Sequence, residues 1–181
     1  MSPLLFLDFD DVLAIDPQYP SGRVLTALLR GKLDEVPELW ENIFDKLARQ
    51  NLLMLHEEFS PTYVISSSWA GMLSREQICE VLRRTKMQFV ANDMHDEWKL
   101  PHLKVPERAA DIEAWLHLHN QVSPRPFLIL DDVISGHPIR NTRLEQYAVL
   151  CDAWSGFTDK NLEHAQMILR AQMNPTSPNN A

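Results

Sequence analysis

Cysteine is nearly missing from this chain. Its two thiols, Cys79 and Cys151, lie far apart and each follows an apolar residue. No disulfide framework and no Cys-x-x-Cys metal site can be built from them, and both read as small buried hydrophobes. Long apolar runs are missing too, so no stretch has the length a membrane-spanning helix needs. The first apolar run has no basic residue before it and is broken at once by aspartates, which is not a signal-peptide pattern. Positive charge is scarce: 17 Lys and Arg against 25 Asp and Glu leave a formal net charge of -8. Broad nucleic-acid-binding surfaces depend on Lys and Arg meeting phosphates, so that class is excluded and only a small local basic patch remains open. No internal repeat is visible. These absences predict a soluble, reduced, cytoplasmic protein with no membrane partner.

What the chain does have is enough apolar residues for a core, with acids placed at the ends of apolar runs. At 181 residues, 45% hydrophobic and 23% charged, it is sized for one domain, or one domain with a small insertion. Leu4-Leu5-Phe6-Leu7 runs straight into Asp8, with Asp10 two places later. A short apolar run reads as a buried strand, and two carboxylates at its end make sense where the strand opens onto a metal or phosphate. Alternate residues of an extended segment point the same way, so Asp8 and Asp10 can share one site. Crowded carboxylates need a cation between them, and Mg²⁺ prefers such oxygens. Thr62-Tyr63-Val64-Ile65 reads as a second strand and leads into Ser66-Ser67-Ser68-Trp69. Three hydroxyls at a strand end offer a phosphate cradle; a serine-rich turn or helix cap is the plainer alternative. Phe127-Leu128-Ile129-Leu130 then meets Asp131-Asp132, a second strand ending in acids.

The intervening segments are read from period and punctuation. Residues 13–37 carry Pro17, Pro20, Gly22, Gly31 and Pro37, which mark loops and short elements and suit a small lid; Val24–Leu29 fits a short helix or a hairpin arm. Trp40, Ile43, Phe44 and Leu47, continued by Leu55 and Phe59, predict one helix from Pro37 to Pro61. Ser74 caps a helix to Arg84, residues 87–90 form a short strand, and residues 92–106 form a surface loop. Glu107–His119 is a helix whose His117 and His119, two places apart, cannot share an ion. Tyr147–Cys151 is a strand, and Thr158 caps a helix from Asp159 to about Met173, with Leu162, Ala165, Leu169 and Met173 as its apolar face, before a polar tail at 174–181.

The strings LDFDDV, VISSSW, ERAADIEAWL and FLILDD, in that order, resemble the motifs of the haloacid dehalogenase-like (HAD) hydrolases. The resemblance is closest to the HAD domain of Swiss-army-knife RNA-repair proteins. It implies an α/β fold: a Rossmann-like three-layer sandwich with a mostly parallel sheet of about five strands and a minimal cap. Residues 1–173 would form the single domain. The implied roles are Asp8 as nucleophile and Asp10 as general acid/base. Ser66, or Ser67 if the strand ends one residue later, would hold the phosphate. Mg²⁺ would be held by Asp8, the carbonyl of Asp10, and Asp131 or Asp132. The family's usual phosphate-site lysine is absent; Arg108 stands at its position, with Lys104 as competitor, and Arg clamps phosphate through a charge it never loses. Asp11 replaces a common glycine and would be a tolerated substitute if the backbone there needs a positive φ. The implied activity is a Mg²⁺-dependent phosphomonoesterase acting through an aspartyl-phosphate, on a phosphorylated small molecule or a nucleic-acid end. Two alternatives remain: a non-hydrolytic module binding phosphate or RNA ends, and a phospho-accepting receiver domain.

Overall fold

Leu4–Leu7 forms strand β1, and all four of its side chains are buried. That is what a central strand of a sheet covered on both faces requires. The computed structural model describes residues 1–101 and 107–174. Within them β2 (Thr62–Ile65), β3 (Met94–Lys99), β4 (Phe127–Asp132) and β5 (Ala148–Cys151) join β1 in one sheet, ordered β3-β2-β1-β4-β5. Every pairing is parallel. Side chains alternate across β1, so Leu5 and Leu7 enter one apolar layer while Leu4 and Phe6 enter the other.

The larger layer packs α1 (Ser21–Leu29), α2 (Pro37–Asn42), α3 (Lys46–Phe59), α4 (Trp69–Met72), α5 (Arg75–Arg84), α6 (Gln88–Asn92) and α8 (Asp159–Met173) against the sheet. The smaller packs α7 (Arg108–His119) through Ala109, Ile112 and Trp115. The result is the three-layer α/β sandwich that the motifs imply. No described helix is long and apolar enough to cross a membrane.

Four local expectations need correction. The helix predicted from Pro37 onward is two helices, because Asp45 caps α3 by accepting the Ala48 N–H at 2.9 Å. Leu47 then falls on an exposed face. Residues 87–90 enter α6 and are no strand: Lys86 takes φ +64 and Met87 N–H returns to Leu82 O, closing α5 in a tight turn. Residues 92–106 are no plain loop, since β3 lies within them; as an edge strand with one neighbour it carries polar, exposed residues that hide its pattern. Met173 is partly exposed at the end of α8, and Ile168 takes a place in that helix's core face. Between the two readings open for Val24–Leu29, the chain adopts the helix. Cys151 is buried and Cys79 half-buried. Lys104 lies outside the described residues.

Candidate active site

Parallel register brings the site together. Leu7 pairs with Ile65 of β2 and with Leu130 of β4. The next residue on each strand is therefore Asp8, Ser66 and Asp131, side by side at the carboxyl edge. Asp8 N–H donates to Leu130 O at 3.0 Å and Ser66 N–H to Leu7 O at 2.9 Å, which locks the three in place. In open α/β sheets this edge is where ligands bind.

Carboxylate oxygens of Asp8, Asp131 and Asp132 lie within 4.8 Å of one another, and all three residues are buried. Arg108, the first residue of α7, spans two of them: its Nε is 2.8 Å from Asp131 Oδ2 and its Nη2 is 3.6 Å from Asp8 Oδ1. Asp132 is held by its own turn, one oxygen accepting the N–H groups of Ile134 at 2.7 Å and Ser135 at 3.0 Å. Burial raises the Asp8 carboxyl to about 6, against the pull of the Arg108 guanidinium. Burial, reinforced by the charge of Asp8, pushes Asp131 well above the usual carboxylate range. Among the described residues three clustered acids meet one guanidinium, and an all-carboxylate donor set suits a hard cation such as Mg²⁺.

Asp10 stands apart from this triad. Its carboxylate accepts the Trp69 Nε1–H at 3.0 Å and a bond from Ser21, the first residue of α1. Burial raises its pKa, and the Trp69 and Ser21 bonds lower it. Its side chain is thus not brought to the metal cluster, leaving its main-chain carbonyl as the atom the resemblance assigns to metal. Asp11 takes φ +57, the left-handed backbone for which a glycine is the common solution.

The two serines differ. Ser66 Oγ is buried and has no hydrogen-bond partner among the described residues, whereas Ser67 already bonds the Asp8 carboxylate. A buried, unsatisfied hydroxyl is costly unless something polar arrives, and a phosphoryl oxygen is such a group. Ser66, Ser67, Arg108 and Ser135 line a cleft of about 310 Å³ beside the triad.

Sequence reasoning missed two neighbours. Trp69 was visible beside the serines, but nothing local told that its indole would reach Asp10, 59 residues away. Lys99 ends β3 opposite Ile65 and reaches Ala70 O at 3.4 Å, placing a second cation near the cleft. It was hidden inside a segment read as loop.

Residues 4–162 match the family described as the HAD domain in Swiss Army Knife RNA repair proteins. No curated protein and no solved structure matches the chain.

Proposed function

Since this chain belongs to the HAD domains of Swiss Army Knife RNA repair proteins, we propose that it is a Mg²⁺-dependent phosphomonoesterase acting through an aspartyl-phosphate on Asp8. The observation that carries this reading is the Ser66 hydroxyl, unpartnered among the described residues, beside three clustered carboxylates and one guanidinium. The receiver-domain alternative falls with the family assignment. We read residues 1–173 as one domain, with residues 13–37 as its small lid.

Asp8 attacks phosphorus while Asp10 gives its proton to the leaving oxygen, so one P–O bond forms as another breaks. Asp10, now ionised, takes a proton from water; the hydroxide attacks phosphorus and Asp8 is released as carboxylate. Burial keeps Asp10 protonated to higher pH than an exposed aspartate, which suits a general acid. Arg108 and Ser66 hold the phosphoryl oxygens as charge shifts among them. Asp8, Asp131, Asp132 and the Asp10 carbonyl would hold Mg²⁺, which supplies positive charge for the phosphoryl oxygens.

The test is phosphate release from a generic aryl phosphate and from phosphorylated oligonucleotides. Release is expected with Mg²⁺, is lost in EDTA, and falls by about 10³-fold or more in Asp8→Asn. No turnover across that panel overturns the enzyme reading. Arg108, already tied to Asp131 at 2.8 Å, favours one second reading, a phosphate-end binding module that does not turn over. Mg²⁺-dependent binding without phosphate release would select it.

A further inference from the structure

The lid carries a surface that this chemistry does not use. Cations are outnumbered in the chain, yet Arg23, Arg30 and Lys32 converge on one groove of about 540 Å³ along α1. Glu38 stands at its edge, 3.5 Å from Arg23 with both side chains well exposed, and such a contact is readily exchanged for a phosphate.

Pro20 lines both this groove and a neighbouring cleft of about 320 Å³. Asp10 stands in that cleft, which Tyr19 and Trp154 wall. Trp154 is 71% exposed and holds φ +71, a left-handed backbone that bulky residues rarely adopt. Its main-chain N–H is engaged by the Asp11 carboxylate, which leaves the indole projecting from the fold. An exposed aromatic ring on strained backbone beside a reacting group is a mark of binding. The Arg23 guanidinium lies 5.3 Å from the centre of the Tyr19 ring, joining the aromatic cleft to the basic groove.

If Asp10 protonates the leaving oxygen, the leaving group sits on its open side, between Tyr19 and Trp154. Whatever continues beyond it runs along α1. Aromatic walls suit a base, and a cationic groove suits the phosphodiesters that follow. Asp11 and Asp16 in the cleft disfavour a second phosphate there, so the group it accepts is a nucleoside and not a polyphosphate.

We propose that the cleft and groove form a track for a single-stranded nucleic acid. The terminal nucleoside stacks between Tyr19 and Trp154, and the next phosphodiesters lie on Arg23 and Arg30. The phosphate presented to Asp8 is then the end of a strand, not that of a free nucleotide. The direction of the track rests on the phosphatase reading; its existence as a binding surface does not.

The experiment is fluorescence anisotropy on the full-length Asp8→Asn chain with Mg²⁺. The probe is a terminally phosphorylated RNA octamer labelled at its other end, with a DNA octamer as the parallel arm. Adding Arg23→Ala and Arg30→Ala is expected to weaken binding about tenfold. It should also lower the slope of log affinity against log salt by about 1.4, the share of two phosphate contacts on a single strand. Trp154→Ala is expected to weaken binding about tenfold, and Arg143→Ala, which removes one positive charge elsewhere, to change neither quantity. If the alanine pair unfolds the chain, Arg23→Gln with Arg30→Gln keeps the alkyl stems and reads the same slope. Equal affinity and slope for the doubly substituted and parent chains overturn the track, as does an octamer that binds no better than the mononucleotide. A strand that binds along the groove but never loses its phosphate to the unsubstituted chain keeps the track and sinks the phosphatase reading.

Discussion

Trp69 sets how far Asp10 departs from an ordinary carboxylate. Its indole N–H, 3.0 Å from Asp10 Oδ2, lowers a pKa that burial raises. Trp69→Phe keeps an aromatic ring against Phe9 and Phe44 and removes the donor. The expected result is a higher Asp10 pKa. If Asp10 is the acid of the first step and the base of the second, as proposed, both limbs of the kcat profile then move to higher pH, with a loss of about tenfold in kcat. A profile that lowers kcat without moving either limb would remove Asp10 from the proton transfer. At this scale the sequence named both partners, DFDD and SSSW, without linking them. It also left Ser66 and Ser67 as alternatives, and these differ only once Ser67 is seen to bond Asp8. The Ser67–Asp8 and Trp69–Asp10 bonds each cross 59 residues of chain, and no local pattern encodes them.

Loops between elements hold the site as firmly as the strands do. Gly156 takes φ +62, and a Cβ there would stand 2.8 Å from Val12 O and 3.0 Å from Ile15 Cγ2. The next residue, Phe157, donates its N–H to the same Val12 O at 2.9 Å and packs in the core. This contact ties the turn after β5 to the turn after Asp8, two residues from Trp154. Gly156→Ala is therefore expected to cost about 1–3 kcal/mol through strain and contact with backbone. Chemical denaturation measures the loss. Stability within about 0.5 kcal/mol of the parent would mean the two turns are not coupled as the geometry has them. Helices were easier to read than such turns. The Ser74/Gln77 and Thr158/Asn161 capping boxes stand where the cap residues place them, since an N-cap acts within four residues. Edge strand β3 was missed because its polar face looks outward and its register belongs to β2.

Across the whole molecule, the buried acids make stability depend on pH and metal together. Asp8 is raised from 3.8 to about 6 in the folded protein, so between those values the folded state holds more protons than the unfolded one. In EDTA, stability falls as pH rises from about 4 through about 6, by at most about 3 kcal/mol for Asp8, and that contribution is flat above. Asp131, raised further by burial and by Asp8, extends the fall to higher pH. Mg²⁺ held by the triad would compete with these protons for the same oxygens. Its expected effect is a rise in Tm that is larger at pH 7.5 than at pH 5, read by thermal melts with Mg²⁺ and with EDTA. Melts that ignore Mg²⁺ at both pH values would exclude metal from the triad.

The sequence by itself determined which strands end in acids and hydroxyls, where α5, α7 and α8 begin, and which family the chain belongs to, because these are properties of neighbours a few residues apart. It also carried the departures, Arg108 for a lysine and Asp11 for a glycine, and the latter's positive φ followed. Only the tertiary structure decided that β1 lies between β2 and β4, so that Asp8, Ser66 and Asp131 share one edge. It alone turned Asp10 toward Trp69 and set Tyr19 and Trp154 about one cleft. The physical reason is that parallel strands pair only across long crossovers, so their order and register are settled by packing two apolar faces at once and not by any stretch of chain alone.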